Sequence, residues 1–295
     1  MDQVEIGGLR VAYRRAGAGP PLVLLHGGFG FDSRSWRRQF DSLADEFTVV
    51  AWDAPGCGLS DDPPDTFRLP DYADCLARFI ETLALERPHV LGLSFGAALA
   101  LELFRRHPRL PRTLVLAGAY AGWAGSLPPE VVAERLGRVL READQDPAQW
   151  VPTYVAGMLT ESAPQAMVEE VTALMGDVHP AGNVTMLRSM AEADLRDVLP
   201  RIDVPTLLLY GDGDTRSPVA IGEALHADIP GSTLVVLTGA GHLSNIEGAH
   251  RFNREVRAFL RRNRQSSGIT RRSPTGPAAS GKVNVPAATH HSNTS

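Results

Sequence analysis

Ser94 stands at the centre of Gly92-Leu93-Ser94-Phe95-Gly96, a G-x-S-x-G match with an apolar run before it and a helical pattern after it. Glycines two positions either side remove the Cβ atoms that would clash in so sharp a strand-to-helix turn. The turn pushes the serine Oγ out above the sheet. The helix behind it aims free N–H groups and the positive end of its dipole at the place where a negative oxygen would form. A serine hydroxyl needs a base to take its proton. His242, in Gly239-Ala240-Gly241-His242, follows the last expected strand, and Asp214, in Gly211-Asp212-Gly213-Asp214, follows the one before it. A histidine there can swing over the strand ends, and a carboxylate can fix its tautomer and stabilise the imidazolium. Asp212 competes with Asp214 for that part and is expected instead to brace the turn. Together these residue types carry nucleophilic acyl transfer through a serine ester, which needs no metal or organic cofactor.

The elements that must position these residues read as alternating strands and helices. Val4–Ile6 and Leu9–Arg15 form two short strands joined at Gly7-Gly8, a hairpin signal. Pro21–Leu25 is a continuous apolar run, as expected of a central parallel strand buried on both faces. It ends in His26-Gly27-Gly28-Phe29-Gly30, and a helix over Ser33–Asp45 follows. The next strand, Phe47–Trp52, runs into a loop dense in turn residues, Asp53 to Ser60. A helix over Asp71–Leu85, a strand over His89–Leu93, a helix over Phe95–Arg106 stopped by Pro108, and a strand over Arg112–Ala117 complete the first part. This alternation argues for βαβ units and a mostly parallel sheet. The pattern resumes with a strand at Thr206–Tyr210, a helix over Val219–Asp228, a strand at Leu234–Leu237 and a final helix over Glu247–Arg262.

Between them the alternation stops. Tyr120 to Asp197 shows helical stretches only, at Pro129–Asp144, Pro147–Leu159, Pro164–Met175 and Asn183–Glu192, and reads as an inserted helical cap. Five of the six methionines lie there, with Tyr120, Trp123, Trp150 and Tyr154. Methionine is flexible and polarisable, so such a face suits an irregular apolar ligand. Phe29, Trp123, Tyr154, Met158, Met186 and Met190 are therefore the candidate pocket residues.

Composition bounds the function. The chain has 295 residues, 43% hydrophobic and 21% charged, with a formal net charge of −5. That balance gives no reason to expect nucleic acid or an anionic membrane as partner. Lys282 is the single lysine, so the folded part has no lysine for Schiff-base or phosphate-loop chemistry. Cys57 and Cys75 form no metal or redox motif, and the glycine clusters form no dinucleotide fingerprint. With no basic region or apolar run at the N-terminus and no stretch of 18 uncharged apolar residues, a cytoplasmic protein is expected. A monomer or homodimer is the default. Residues 265–295, rich in Ser, Thr, Pro, Arg, Gly and Ala, are expected to be a disordered tail.

Taken in order, His26-Gly27-Gly28, Asp53-x-Pro-Gly-x-Gly-x-Ser60, Gly92-x-Ser94-x-Gly96, Gly211-x-x-Asp214 with Pro218, and Gly241-His242 resemble an α/β-hydrolase of the Ser-His-Asp type. The resemblance runs from Val4 to Arg262. The segment Gly241-His242-Leu243-Ser244-Asn245-Ile246-Glu247, with Phe252-Asn253, is similar to enol-lactone hydrolases of the β-ketoadipate type. The resemblance implies an α/β-hydrolase fold: a mostly parallel eight-stranded sheet flanked by helices, with a helical cap insertion. The core would span 1–119 and 198–264, and the cap 120–197. Ser94 is the implied nucleophile, His242 the general base and acid, and Asp214 the orienting carboxylate. The oxyanion hole would be the Phe95 amide with that of Gly28 or Phe29, Gly28 being preferred as second after His26. Some relatives carry the acid after the strand that follows the nucleophile helix, but Ala117 to Trp123 contains none. His26 and Asp53 are expected to hold their loops. The implied substrate is a medium-sized, largely apolar ester or lactone. Carbon–carbon bond hydrolysis of ring-cleavage diketones, acyl transfer to an acceptor other than water, cofactor-free oxygen chemistry and a receptor on a hydrolase scaffold are the alternatives.

Overall fold

Five apolar runs of five or six residues, each bounded by turn residues, become the buried middle of one sheet. In a computed structural model, which describes residues 1–264, the strands are β1 (Asp2–Ile6), β2 (Leu9–Ala16), β3 (Pro21–Leu25), β4 (Thr48–Trp52), β5 (His89–Leu93), β6 (Thr113–Ala117), β7 (Thr206–Gly211) and β8 (Thr233–Leu237). They lie in the order β1-β2-β4-β3-β5-β6-β7-β8. β1 and β2 pair antiparallel, as do β2 and β4, and every other pairing is parallel. β4 to β7 are buried along their whole length, as strands covered on both faces must be. The edges are more polar: β1 and β8 keep exposed residues.

The strand order reverses direction between β3 and β5. The chain moves outward from β3 to β4, then returns past β3 to β5. In open parallel sheets this switch point leaves a crevice beyond the carboxyl ends of the strands, where ligands bind. Here the His26–Gly30 loop leaves β3 and Ser94 leaves β5, so two of the expected site segments meet at that crevice.

The helices are α1 (Arg37–Leu43), α2 (Leu69–Thr82), α3 (Phe95–Arg106), α4 (Pro129–Glu142), α5 (Pro147–Ala156), α6 (Gln165–Gly176), α7 (Pro180–Glu192), α8 (Val219–Asp228), α9 (Ser244–Glu247) and α10 (Ala249–Arg262). α2 is amphipathic and buries Tyr72, Leu76, Phe79 and Ile80; Asp71 accepts the Arg68 N–H at 2.8 Å to close its first turn. α3 packs on α2 and on β3, β5 and β6, with Phe95 to Phe104 wholly buried. α4 to α7 fill the interval between β6 and β7; α4 packs on α7, α5 on α6, and α7 also meets α2 and α3.

Two helices depart from the sequence reading. The helix expected over Ser33–Asp45 begins as a 3-10 turn, Ser33–Trp36, whose start is capped by the Asp32 carboxylate. The final helix runs over Ala249–Arg262, two residues short of its expected start, and a single extra turn, α9, precedes it across Gly248. Glu247 ends that turn, and its carboxylate reaches back to accept the Gly241 N–H at 2.6 Å and the Thr160 N–H at 3.0 Å. The tail expected over residues 265–295 lies outside the described residues. Among the described residues no helix is long and apolar enough to cross a membrane.

Candidate active site

The turn around Ser94 is set by atoms that are missing. A Cβ on Gly92 would stand 2.1 Å from the Gly96 carbonyl oxygen, and one on Gly96 would stand 2.1 Å from the Leu25 carbonyl oxygen. With both glycines in place the chain can fold back on itself and hold Ser94 at φ 53°, ψ −110°. That left-handed conformation is costly for a residue with a Cβ. The Ser94 N–H donates to the Ala117 carbonyl at 2.9 Å, which pins the turn to the end of β6.

Asp214 and His242 meet just beyond β7 and β8. His242 Nδ1 lies 2.8 Å from Asp214 Oδ2, with both side chains buried. Asp214 Oδ1 accepts the N–H groups of Arg216 at 2.9 Å and Ser217 at 2.8 Å. Burial alone would raise the Asp214 carboxyl. The charge and hydrogen bond of His242 and the two backbone donors outweigh it, holding the group below the usual carboxylate range. An ionised Asp214 makes Nδ1 of His242 the protonated nitrogen and leaves Nε2 as an acceptor. Asp212 turns away and accepts the Gly239 N–H at 2.7 Å on an exposed turn.

Ala117-Gly118 lies between the histidine and the serine. Ser94 hangs on Ala117, while a Cβ on Gly118 would stand 3.0 Å from His242 Cε1. Gly118 has φ +49°, so both its conformation and the nearness of the ring call for glycine. Among the described residues no hydrogen bond joins Ser94 Oγ to His242. Such bonds are commonly long before a substrate is bound and shorten in the complex.

The first loop carries the other amide expected of the oxyanion hole. Phe29, at φ 65°, donates its N–H to Asn183 Oδ1 at 3.1 Å. That amide is taken, whereas the Gly28 N–H has no protein partner among the described residues. Phe95 opens α3 and so has no carbonyl of its own helix to bond. His26 is wired into the backbone: its Nδ1–H donates to the Gly27 carbonyl at 2.7 Å and its Nε2 accepts the Ala54 N–H at 2.9 Å. Both bonds need a neutral ring, and burial lowers its pKa accordingly. Asp53 accepts the N–H groups of Ser33 and Leu59, tying down the glycine-rich turn. Cys57 is buried, and burial raises its thiol well above the ordinary value, so it holds its proton.

A mostly enclosed cavity opens on Ser94 and on both amide-bearing residues, Gly28 and Phe95. Its free space is about 10 Å³, room for roughly one water molecule. Phe29, Trp123 and Met190 of the expected pocket residues line it. Tyr154 stacks behind Phe29, ring centres 4.6 Å apart, and faces a neighbouring cleft with Trp150 and Asn183. Met158 spends its carbonyl on the Leu243 N–H and does not reach the cavity lining. Met186 packs behind Gly28, its sulfur 3.7 Å from where a Cβ would be. Sequence reasoning missed Tyr120, Leu187, Arg135 and Arg216, which complete the wall. Leu187 had a signal in its place beside Met186 on α7; the two arginines had none, since arginine on a helix or loop normally faces water.

The segment from Gly241 to Asn253 serves as framework. Glu247 ties the His242 loop to Thr160, as described above. Asn245 donates to the Ser35 carbonyl at 3.0 Å, and Gln39 donates to the Asn245 carbonyl and to Asn253 Oδ1, each at 2.8 Å. Neither Asn245 nor Glu247 lines the cavity.

A sheet of this order, with a serine turn after β5 and an Asp–His pair after β7 and β8, defines an α/β hydrolase. A family model described as the alpha/beta hydrolase fold matches residues 20–249, and the chain belongs to that family. It is 30% identical over 247 residues to the pimeloyl-[acyl-carrier protein] methyl ester esterase of Neisseria meningitidis, covering 81% of this chain and 93% of that one. It is 26% identical over 245 residues to 3-oxoadipate enol-lactonase 2 of Acinetobacter baylyi, covering 82% and 89%. A thermophilic esterase from Thermogutta terrifontis, solved with malate bound, superposes with a TM-score of 0.84 at 29% identity, covering 90% of this chain and all of that one.

Proposed function

We propose that the protein hydrolyses a carboxylic ester or lactone through an acyl-enzyme on Ser94. The observation that carries this is the Asp214–His242 pair set across Ala117-Gly118 from Ser94, with Ser94 facing an enclosed cavity. Asp214 holds Nδ1–H, so Nε2 takes the Ser94 proton as Oγ attacks the carbonyl carbon. The carbonyl oxygen, now negative, sits between the Phe95 and Gly28 amides at the positive end of α3. His242 passes its proton to the leaving oxygen. Water then gives a proton to the same nitrogen as its oxygen attacks the acyl carbon, and His242 returns that proton to Ser94 Oγ as the acid leaves. Phe29, Trp123, Leu187 and Met190 supply an apolar wall for the substrate. Esterase and lactonase relatives support the reaction class.

The test is turnover of p-nitrophenyl esters from acetate to octanoate by the wild type and Ser94→Ala. Activity should fall at least about a thousandfold in the variant. An alanine variant as fast as the wild type would remove the centre of this reading.

A further inference from the structure

Arg216 is the one cation of the Ser94 cavity whose guanidinium has no ion pair and no hydrogen bond among the described residues. It is part-buried and lies over the rings of Phe29, at 4.6 Å, and Tyr154, at 5.5 Å. Arg135 reaches the same cavity from α4. It has no carboxylate partner either: it donates to the Tyr120 hydroxyl and to the Arg216 carbonyl, both at 3.1 Å, and lies over the Tyr120 and Trp123 rings. The nearest acid in sequence, Asp214, spends its oxygens on His242, Ser217 and the Arg216 backbone.

A guanidinium partly withdrawn from water without a counter-charge is costly, and two in one small cavity repel. Burial lowers the Arg216 pKa, and the charge of Arg135 pushes the same way. Aromatic faces offset part of the cost of a buried cation but do not supply a counter-charge. Other arginines on this protein meet acids, as exposed Arg10 meets Asp61 and part-buried Arg38 meets Glu170. Arg216 and Arg135 have no such partner among the described residues, and both line the cavity of Ser94.

We infer that Arg216, supported by Arg135, is a carboxylate-binding subsite, and that the acyl part of the substrate carries a free carboxylate. This rests on the ester-hydrolase reading of Ser94. The acyl group is the part assigned because it stays bonded to Ser94 after the alcohol has left. Arg216 lines the same cavity wall as Ser94, Gly28 and Phe95, the residues that would hold that fragment. Planar guanidinium groups match a carboxylate bidentately, which lysine could not do.

Two measurements test it. The first compares kcat/KM for monomethyl glutarate and methyl pentanoate, esters of equal acyl length that differ in the terminal carboxylate. The wild type should prefer the hemiester at least about tenfold, and Arg216→Met should shrink that ratio at least about tenfold. Equal use of both esters by the wild type overturns the inference. So does an unchanged ratio in a folded Arg216→Met, which would mean that Arg216 merely balances the charge of Asp214. Arg135→Met, expected to lower the ratio in the same direction, stands in if Arg216→Met fails to fold. The second measurement is calorimetric titration of glutarate into Ser94→Ala, with and without Arg216→Met. Binding that weakens at least about tenfold without the arginine supports the subsite, and absence of binding to Ser94→Ala counts against it. Glutarate binding with no ester turnover would keep the subsite and remove the hydrolase reading. Turnover of both esters without preference, and no glutarate binding, would do the reverse.

Discussion

Asp214→Asn isolates the part of the carboxylate that concerns the histidine tautomer. The amide can be seated in two ways. With its oxygen at the Oδ1 position it keeps the N–H donors of Arg216 and Ser217, and its NH₂ then faces His242 Nδ1. Flipped, it offers oxygen to His242 but sets an NH₂ against two backbone N–H groups. Each buried donor left unsatisfied costs about 1–3 kcal/mol, so the first seating wins by several kcal/mol. His242 must then accept at Nδ1 and carry its proton on Nε2, the nitrogen proposed to receive the serine proton. The expected loss in kcat is about 10⁴-fold, or about 5 kcal/mol of transition-state stabilisation. Because both backbone hydrogen bonds survive, the thermal midpoint should move by only a few degrees. The assay is p-nitrophenyl butyrate turnover with a melting curve on the same sample. Asp212→Asn, on the exposed turn, serves as the control and should stay within about threefold. A folded Asp214→Asn within tenfold of the wild type would refute the tautomer argument and with it the role given to Asp214.

Asn183→Ala frees the Phe29 N–H, leaving a donor unsatisfied in the loop that carries Gly28. The cost of about 1–3 kcal/mol should appear as a drop of a few degrees in the melting midpoint, with kcat on the same ester falling about tenfold as the Gly28 amide loses its seat. An unchanged kcat would separate that loop from the reaction. Glu46 sits among Arg257, Arg261 and Arg264; the Arg261 hydrogen bond, opposed by partial burial and reinforced by Arg257, holds its carboxyl at about 2. A carboxyl depressed in the folded state stabilises it above its unfolded pKa of about 4.3, and that stability is lost as pH falls through about 2. Melting curves taken from pH 6 down to 2 should therefore show a steeper decline below about pH 4.5 in the wild type than in Glu46→Gln, and parallel declines would contradict the assignment.

What could be read from the chain was whatever local geometry demands of single residues. Gly92 and Gly96 announce the serine turn because no other residue fits there. Asp214 and His242 stand out because each follows an apolar run at a strand end. The buried strands were legible because full burial leaves continuous apolar runs. What could not be read depends on contacts distant in sequence. Arg216 is an ordinary loop arginine until Phe29 and Tyr154 close over it, and Arg135 is a polar position on an amphipathic helix until α4 is laid beside Tyr120. The extra turn Ser244–Glu247 ends in Glu247 reaching Gly241 and Thr160, which no periodicity reports. The lactonase-like segment is legible as a motif, yet its side chains bind the framework, so it says more about how the His242 loop is held than about what enters the cavity.

The collisions that forbid a side chain at Gly92 and Gly96 are with backbone oxygens, not with other side chains. No second substitution nearby can make room, because every residue type carries the same carbonyl. A lineage of such sequences could therefore not drift at these two positions and compensate later, as a core leucine can when its neighbours repack. Variation would be channelled to the walls instead, to residues such as Arg135, Leu187 and Met190, which come from the helical interval between β6 and β7. The fold thus separates what must stay invariant for bond breaking from what is free to change in choosing the molecule that is broken.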